Sequence, residues 1–313
     1  MPEFESSDGV TCSYLRLGGE GPRILFVHAT GFCSTVWRPF AEALQDRYEC
    51  WALDVRSHGH STDQSDGAFL WEHTAHDVLG ALDAIDCDEG VHPDRWRGVG
   101  HSMGGASLLL AEEQRPGTFS DLWVFEPIVF PSSLRHAVDD PPPIPLAEGA
   151  ERRRAVFESL DTARANFSSK APMSTFHPAA LDGYLERGFR PSPGDGADAV
   201  RLSCDPLIEA TVYRTGATHR AHDALHTVQC PVTVVSGDPS VPGAAMLAPL
   251  VAEALPASVF LGRPELGHFG PLEAPLELAG TVRDAFAKFH NCDDASLGSV
   301  LGLGSGEGAG EDS

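Results

Sequence analysis

Lysine is almost missing from this chain of 313 residues: Lys170 and Lys288 are the only two. The other basic residues are arginines, and 22 basic against 45 acidic residues leave a net charge of −23. A surface of that sign repels phosphate backbones and anionic bilayers, so nucleic acid and membranes are excluded as partners and a small molecule is expected. The acidity fits a salt-rich cytoplasm, where carboxylates hold water, and equally a GC-rich genome, which favours Arg over Lys. No apolar run approaches the roughly 20 residues that span a bilayer. The start, Met1-Pro2-Glu3-Phe4-Glu5, lacks the basic and apolar stretches of a secretory signal, so a cytoplasmic location is expected. The cysteines (12, 33, 50, 87, 204, 230 and 292) are odd in number, scattered and never spaced C-x-x-C. That excludes a disulfide framework and a cysteine zinc site, and fits free thiols in a reducing compartment.

What is present is enough apolar sequence, 42%, for a full core. Ser13 to Leu17 alternates and ends in Gly18-Gly19, a strand and its turn. Ile24-Leu25-Phe26-Val27 is a short apolar run, as in a strand buried on both faces. Residues 34 to 46 carry a helical pattern, with Ser34 as the expected N-cap. Strands at Cys50 to Asp54, Arg97 to Gly100 and Leu122 to Phe125 then alternate with helices over 72–85 and 106–113. This alternation predicts a mostly parallel sheet with helices on both faces.

The rhythm breaks at Pro127. From there to about Val228 the chain is punctuated by proline and helical in pattern, with no clear buried strand. A strand at Val232 to Val235, a helix near 243–255, a strand at Ser258 to Leu261 and a last helix from Pro275 to His290 restore the alternation. The expected organisation is a core of residues 1–128 and 228–290, with a mainly helical lid of residues 129–227 inserted between two strands. Residues 291–313, Gly, Ser and acid, read as a disordered tail.

Gly100-His101-Ser102-Met103-Gly104 matches G-x-S-x-G. The pattern alone is common in so glycine-rich a chain; its place between a short apolar strand and a helix makes it specific. The glycines allow a sharp turn that lifts the Ser102 hydroxyl above the sheet. Three more motifs follow the same order of strands: His28-Ala29-Thr30-Gly31-Phe32, Asp54-Val55-Arg56-Ser57-His58-Gly59-His60-Ser61 and Gly267-His268-Phe269. Taken together, and over nearly all of residues 10–290 outside the lid, the chain resembles the α/β-hydrolases. Ala29 and Ser57 stand where that family usually has Gly.

The resemblance implies an α/β-hydrolase fold and a serine hydrolase without metal or cofactor. It makes Ser102 the nucleophile and His268 the general base, with the backbone N–H groups of Thr30 and Met103 as the oxyanion hole. Two carboxylates stand open for the acid. Asp238, in Gly237-Asp238-Pro239-Ser240, serves if the loop is shortened, because Ser240 occupies the place where relatives often have Asp. Glu126, at the end of an earlier strand, serves if the acid has moved as in some haloalkane dehalogenases. Glu126 is slightly favoured, since a carboxylate at a strand end has little structural use. The implied reaction is hydrolysis of an ester, thioester or lactone. The alternatives are a carbon–carbon bond hydrolase or perhydrolase with the same residues, or a receptor on the same fold.

Three other features are weighed against packing. His58-Gly59-His60 with Asp63 faintly resembles a binuclear metal motif but has no downstream ligands. His219, His222 and His226 fall on one face of an expected helix, more as a solvated or substrate-facing surface than a metal site. Cys33 reads as inert packing beside the oxyanion loop. Phe157, Phe167, Met173, Phe176, Tyr184 and Phe189 suggest either an apolar pocket or the packing of the lid itself.

Overall fold

The computed structural model describes residues 2–62, 69–137, 142–241 and 243–298. Asp63, Pro141 and Pro242, and the expected tail from 299 on, lie outside the described residues. Six strands come first: β1 (Glu3–Glu5), β2 (Thr11–Gly18), β3 (Arg23–Val27), β4 (Glu49–Asp54), β5 (Trp96–His101) and β6 (Phe119–Phe125). Between them run α1 (Arg38–Glu42), α2 (Trp71–Glu89) and α3 (Met103–Gln114). The segment after β6 holds α4 (Pro145–Glu151), β7 (Val156–Phe157), α5 (Leu160–Ser168), α6 (Pro178–Arg187), β8 (Phe189–Pro191), β9 (Val200–Leu202), α7 (Pro206–Thr215) and α8 (Ala221–Ala224). The chain then returns through β10 (Val232–Ser236), α9 (Ala248–Ala254), β11 (Ser258–Gly262), α10 (Gly270–Glu273) and α11 (Pro275–Gly298).

The main sheet has the order β1-β2-β4-β3-β5-β6-β10-β11, antiparallel at the β1 end and parallel from β4 onward. Its central strands are apolar on both faces because each face has its own layer of helices. Leu25, Val27, Leu122, Val124, Val232 and Val234 point into one core cluster. Ile24, Phe26, Trp123, Phe125 and Val235 point into the other, which α1 and α11 close. Register then sets the site. Val27 pairs with Gly100, His101 with Phe125, and Phe125 with Val235. The C-terminal ends of β3, β5, β6 and β10 therefore lie side by side, and the loops that leave them meet at one edge.

Local readings needed correction in four places. Residues 34–42 form a 3₁₀ turn (Ser34–Trp37) running into the short α1, with no side-chain cap. Ser34 is not the N-cap: it is the first residue of the turn, Cys33 holds the cap position, and the backbone N–H of Ser34 donates to the buried Asp54 carboxylate at 2.6 Å. The segment between β6 and β10 also has strands: β7, β9 and β8 make a small antiparallel sheet of very short strands. His219, His222 and His226 share no helix, since α8 is one turn long and His226 lies in a separate 3₁₀ turn. The last helix continues past residue 290 to Gly298. Among the described residues no helix is long and apolar enough to cross a membrane.

Candidate active site

Ser102 sits between β5 and α3 at φ 55°, ψ −112°, backbone angles that a non-glycine residue adopts only when its surroundings force it. The two motif glycines make that turn possible. A Cβ at Gly104 would lie 2.1 Å from the carbonyl oxygen of Val27, and one at Gly100 would lie 2.7 Å from that of Gly104. The start of α3 thus presses directly on the end of β3. Ser102 donates its backbone N–H to Phe125 O at 2.9 Å, which ties the turn to the end of β6. The residue is 6% exposed. Among the described residues its hydroxyl makes no hydrogen bond, so the oxygen is not committed within the fold.

Glu126 follows β6 and also has positive φ, 46°. It is 1% exposed, and its carboxylate is held at both oxygens. Oε1 accepts from the N–H of Gly237 at 2.7 Å. Oε2 accepts from His268 Nδ1 at 2.5 Å. A proton held on Nδ1 leaves Nε2 of His268 as the unprotonated nitrogen. The His268 side chain is 34% exposed, so the ring edge stays accessible. Its carbonyl accepts from Nε2 of His101 at 2.7 Å, and the two rings lie 4.9 Å apart, which sets His268 beside the residue preceding Ser102. Burial keeps His101 neutral, with its pKa well below the ordinary histidine value.

Asp238 does not reach this site. Its Oδ1 accepts from the N–H of Ser240 at 2.8 Å, a local turn that spends the carboxylate two residues along the chain. Glu126 occupies the position at His268 instead.

The loop after β3, whose His28 carbonyl faces Gly104 at the start of α3, carries Thr30, 6% exposed. His28 supports it from within: Nδ1–H donates to Ala29 O at 2.8 Å, and Nε2 accepts from Val55 N at 3.1 Å. Next to it His58 donates Nδ1–H to Arg56 O at 2.9 Å and is pulled down to a pKa of about 4 by burial. Asp54, the first residue of the D-x-R motif, accepts from Ser34 N, His60 N and both Nε and Nη2 of Arg187. It joins the core to α6. These contacts account for His28 and Asp54 as supports, while Nε2 of His58 is buried without a hydrogen-bond partner among the described residues, and no group of three or more metal-type donors forms among them. His219 is buried too, donating Nε2–H to Ile128 O and stacking on Trp71.

Of the aromatic residues, Phe157, Phe167, Tyr184 and Phe189 pack on one another. Phe176 and Phe269 close against Phe32, and Phe269 touches the His268 ring. Cys33 is buried, its thiol pushed up to about 12, and it bonds Thr35 and Gly183. Two charged residues that no motif marks, Arg153 and Glu209, form an ion pair over Gly31. Only their spacing in three dimensions reveals them.

A family model described as alpha/beta hydrolase family matches residues 24–281. Protein phosphatase methylesterase 1 of Rattus norvegicus is 35% identical over 107 residues, 33% of this chain and 27% of that protein. The match therefore spans little more than a quarter of that relative's length. Among solved structures, a peroxisomal alpha-beta-hydrolase of Saccharomyces cerevisiae superposes with a TM-score of 0.70 at 18% identity, covering 90% of this chain and 82% of its own. An E-2-(acetamidomethylene)succinate hydrolase gives 0.70 at 20%, covering 91% and 98%. At such identities the likeness is one of fold.

Proposed function

The chain belongs to the alpha/beta hydrolase family, and from that premise we propose that it is a serine hydrolase that cleaves a small-molecule ester, thioester or lactone through an acyl-enzyme on Ser102. The observation that carries the reading is the pairing of a strained Ser102 turn with a His268 ring whose Nδ1 is held by Glu126 at 2.5 Å.

In the proposed sequence Ser102 Oγ attacks the carbonyl carbon while Nε2 of His268 takes its proton. Glu126 holds the tautomer and stabilises the imidazolium that results. The carbonyl oxygen, now negative, is received by the backbone N–H groups of Thr30 and Met103; neither donates elsewhere among the described residues. His268 returns the proton to the alkoxide or thiolate as the bond to the acyl carbon breaks. A water then gives its proton to His268, attacks the acyl carbon and releases the acid, and the proton goes back to Ser102. Residues 129–227 act as a lid over the strand ends, on a core of 1–128 and 228–290. The resemblance to a methylesterase favours an ester as the bond cleaved.

A fluorophosphonate probe reacts only with an activated serine. The expected result is one stoichiometric label, mapped by mass spectrometry to Ser102. A folded protein that stays unlabelled, or is labelled elsewhere, refutes the reading.

A further inference from the structure

We propose that Arg153 determines specificity: its guanidinium, held over the oxyanion loop, takes a carboxylate carried on the acyl part of the substrate. The inference rests on the reading of Ser102 as the residue that is acylated.

Arg153 stands in the loop after α4. Nη1 donates to Glu209, and Nη2 donates to Tyr184 Oη at 3.1 Å. Tyr213 Oη in turn donates to Glu209 Oε1 at 3.3 Å. Glu209 and Tyr184 are buried, so the guanidinium is gripped by fixed partners from α7 and α6. An arginine has five N–H donors. The two bonds just named are those it makes among the described residues, and its side chain is 23% exposed. The remaining donors are open on a group that has been positioned at some cost in entropy.

The place is specific. A Cβ on Gly31 would lie 2.8 Å from Glu209 Oε1 and 3.4 Å from Arg153 Nη1. The ion pair therefore rests on the backbone of the residue next to Thr30, whose N–H is assigned to the substrate's carbonyl oxygen. Neighbouring Cα atoms are about 3.8 Å apart. A short acyl chain spans from that N–H to the guanidinium.

The guanidinium and the oxyanion loop share aromatic packing. Arg153 stands 5.9 Å over Phe167, Phe167 packs on Tyr184, and Tyr184 lies 5.4 Å from Phe32, two residues after Thr30. An apolar wall that ends in a fixed, forked cation suits a short chain ending in an anion, because carboxylate and guanidinium match at two oxygens.

The test compares p-nitrophenyl hydrogen succinate with p-nitrophenyl methyl succinate, which differ in the charge at the far end. Wild type is expected to favour the charged ester in kcat/KM by about ten- to hundredfold. Arg153→Gln should lose that preference, with kcat/KM for the methyl-capped ester within about threefold of wild type. Arg153→Lys should keep part of it. Equal losses on both esters would make Arg153 a structural support and overturn the proposal, as would an unchanged preference. If Arg153→Gln does not fold, the wild-type protein decides. Monomethyl succinate should slow fluorophosphonate labelling of Ser102 more than dimethyl succinate does at equal concentration; equal protection overturns the proposal. A protein that labels at Ser102 and hydrolyses the capped ester as well as the charged one refutes this inference alone. A protein that neither labels nor hydrolyses either ester refutes the underlying reading of Ser102.

Discussion

Nδ1 of His268 meets Oε2 of Glu126 at 2.5 Å, across 142 positions of sequence, while Asp238 turns its carboxylate to Ser240. If Glu126 is the orienting acid, Glu126→Gln should cut kcat by orders of magnitude, about 10⁴ in the best-studied triad. Asp238→Asn should stay within about twofold, since it keeps the turn acceptor. Steady-state rates of the two folded variants on one p-nitrophenyl ester decide it. A large loss in Asp238→Asn with a small one in Glu126→Gln would reverse the assignment.

Ser102→Ala should abolish turnover, a loss on the order of a million-fold, and leave stability nearly unchanged. Alanine tolerates the same φ about as well as serine does, and no core volume is removed. Activity above a few per cent in a purified, folded variant, free of contaminating enzyme, would move the nucleophile elsewhere.

The Asp54–Arg187 ion pair is buried on both sides and ties α6 to the end of β4. Removing one partner leaves a buried charge without its mate, so Arg187→Met and Asp54→Asn should each lose roughly 3–5 kcal/mol in urea unfolding. The double variant should be more stable than the two losses added would allow. A loss below about 1 kcal/mol in Arg187→Met would show that the pair does not hold α6 to the core.

As pH falls below about 6.5 the buried histidines should each withdraw stability from the fold, while Glu113, whose carboxyl is raised by burial to about 8, acts in the opposite direction. His28, His58 and His101 are buried and depressed by desolvation, His58 to about 4. The unfolded chain binds protons at about 6.5 that the folded chain refuses, so stability is complete above that pH and falls as pH drops toward the folded value. His58 alone accounts for roughly 2 kcal/mol between pH 7 and 5. Urea unfolding at the two pH values measures the slope, and His58→Gln should flatten it. A slope that His58→Gln leaves unchanged would contradict the burial of that ring as a neutral group.

Much of the architecture was legible in order along the chain. The apolar runs of β3, β5, β6 and β10 and the helices between them are local patterns, and local patterns survive in a sequence. So does the turn at Ser102, because Gly100 and Gly104 are required by backbone contacts within a few ångströms. The short strands β7, β8 and β9 were not legible: two or three residues carry no period. Nor was the start of the turn at residue 34, whose free N–H is satisfied by Asp54 from twenty residues away.

By itself the sequence determined the order of the main sheet's strands and helices, and where Ser102 and His268 stand among them, because each depends on neighbours in the chain. It left Glu126 and Asp238 open, and it did not mark Arg153 or Glu209 at all. Which of the two carboxylates meets His268, and where Arg153 and Glu209 lie, was decided by the tertiary structure, through the aligned ends of β6 and β10 and the packing of α7 over Gly31. A hydrogen bond depends on distances of a few tenths of an ångström between groups far apart in sequence, and only the assembled sheet sets those distances.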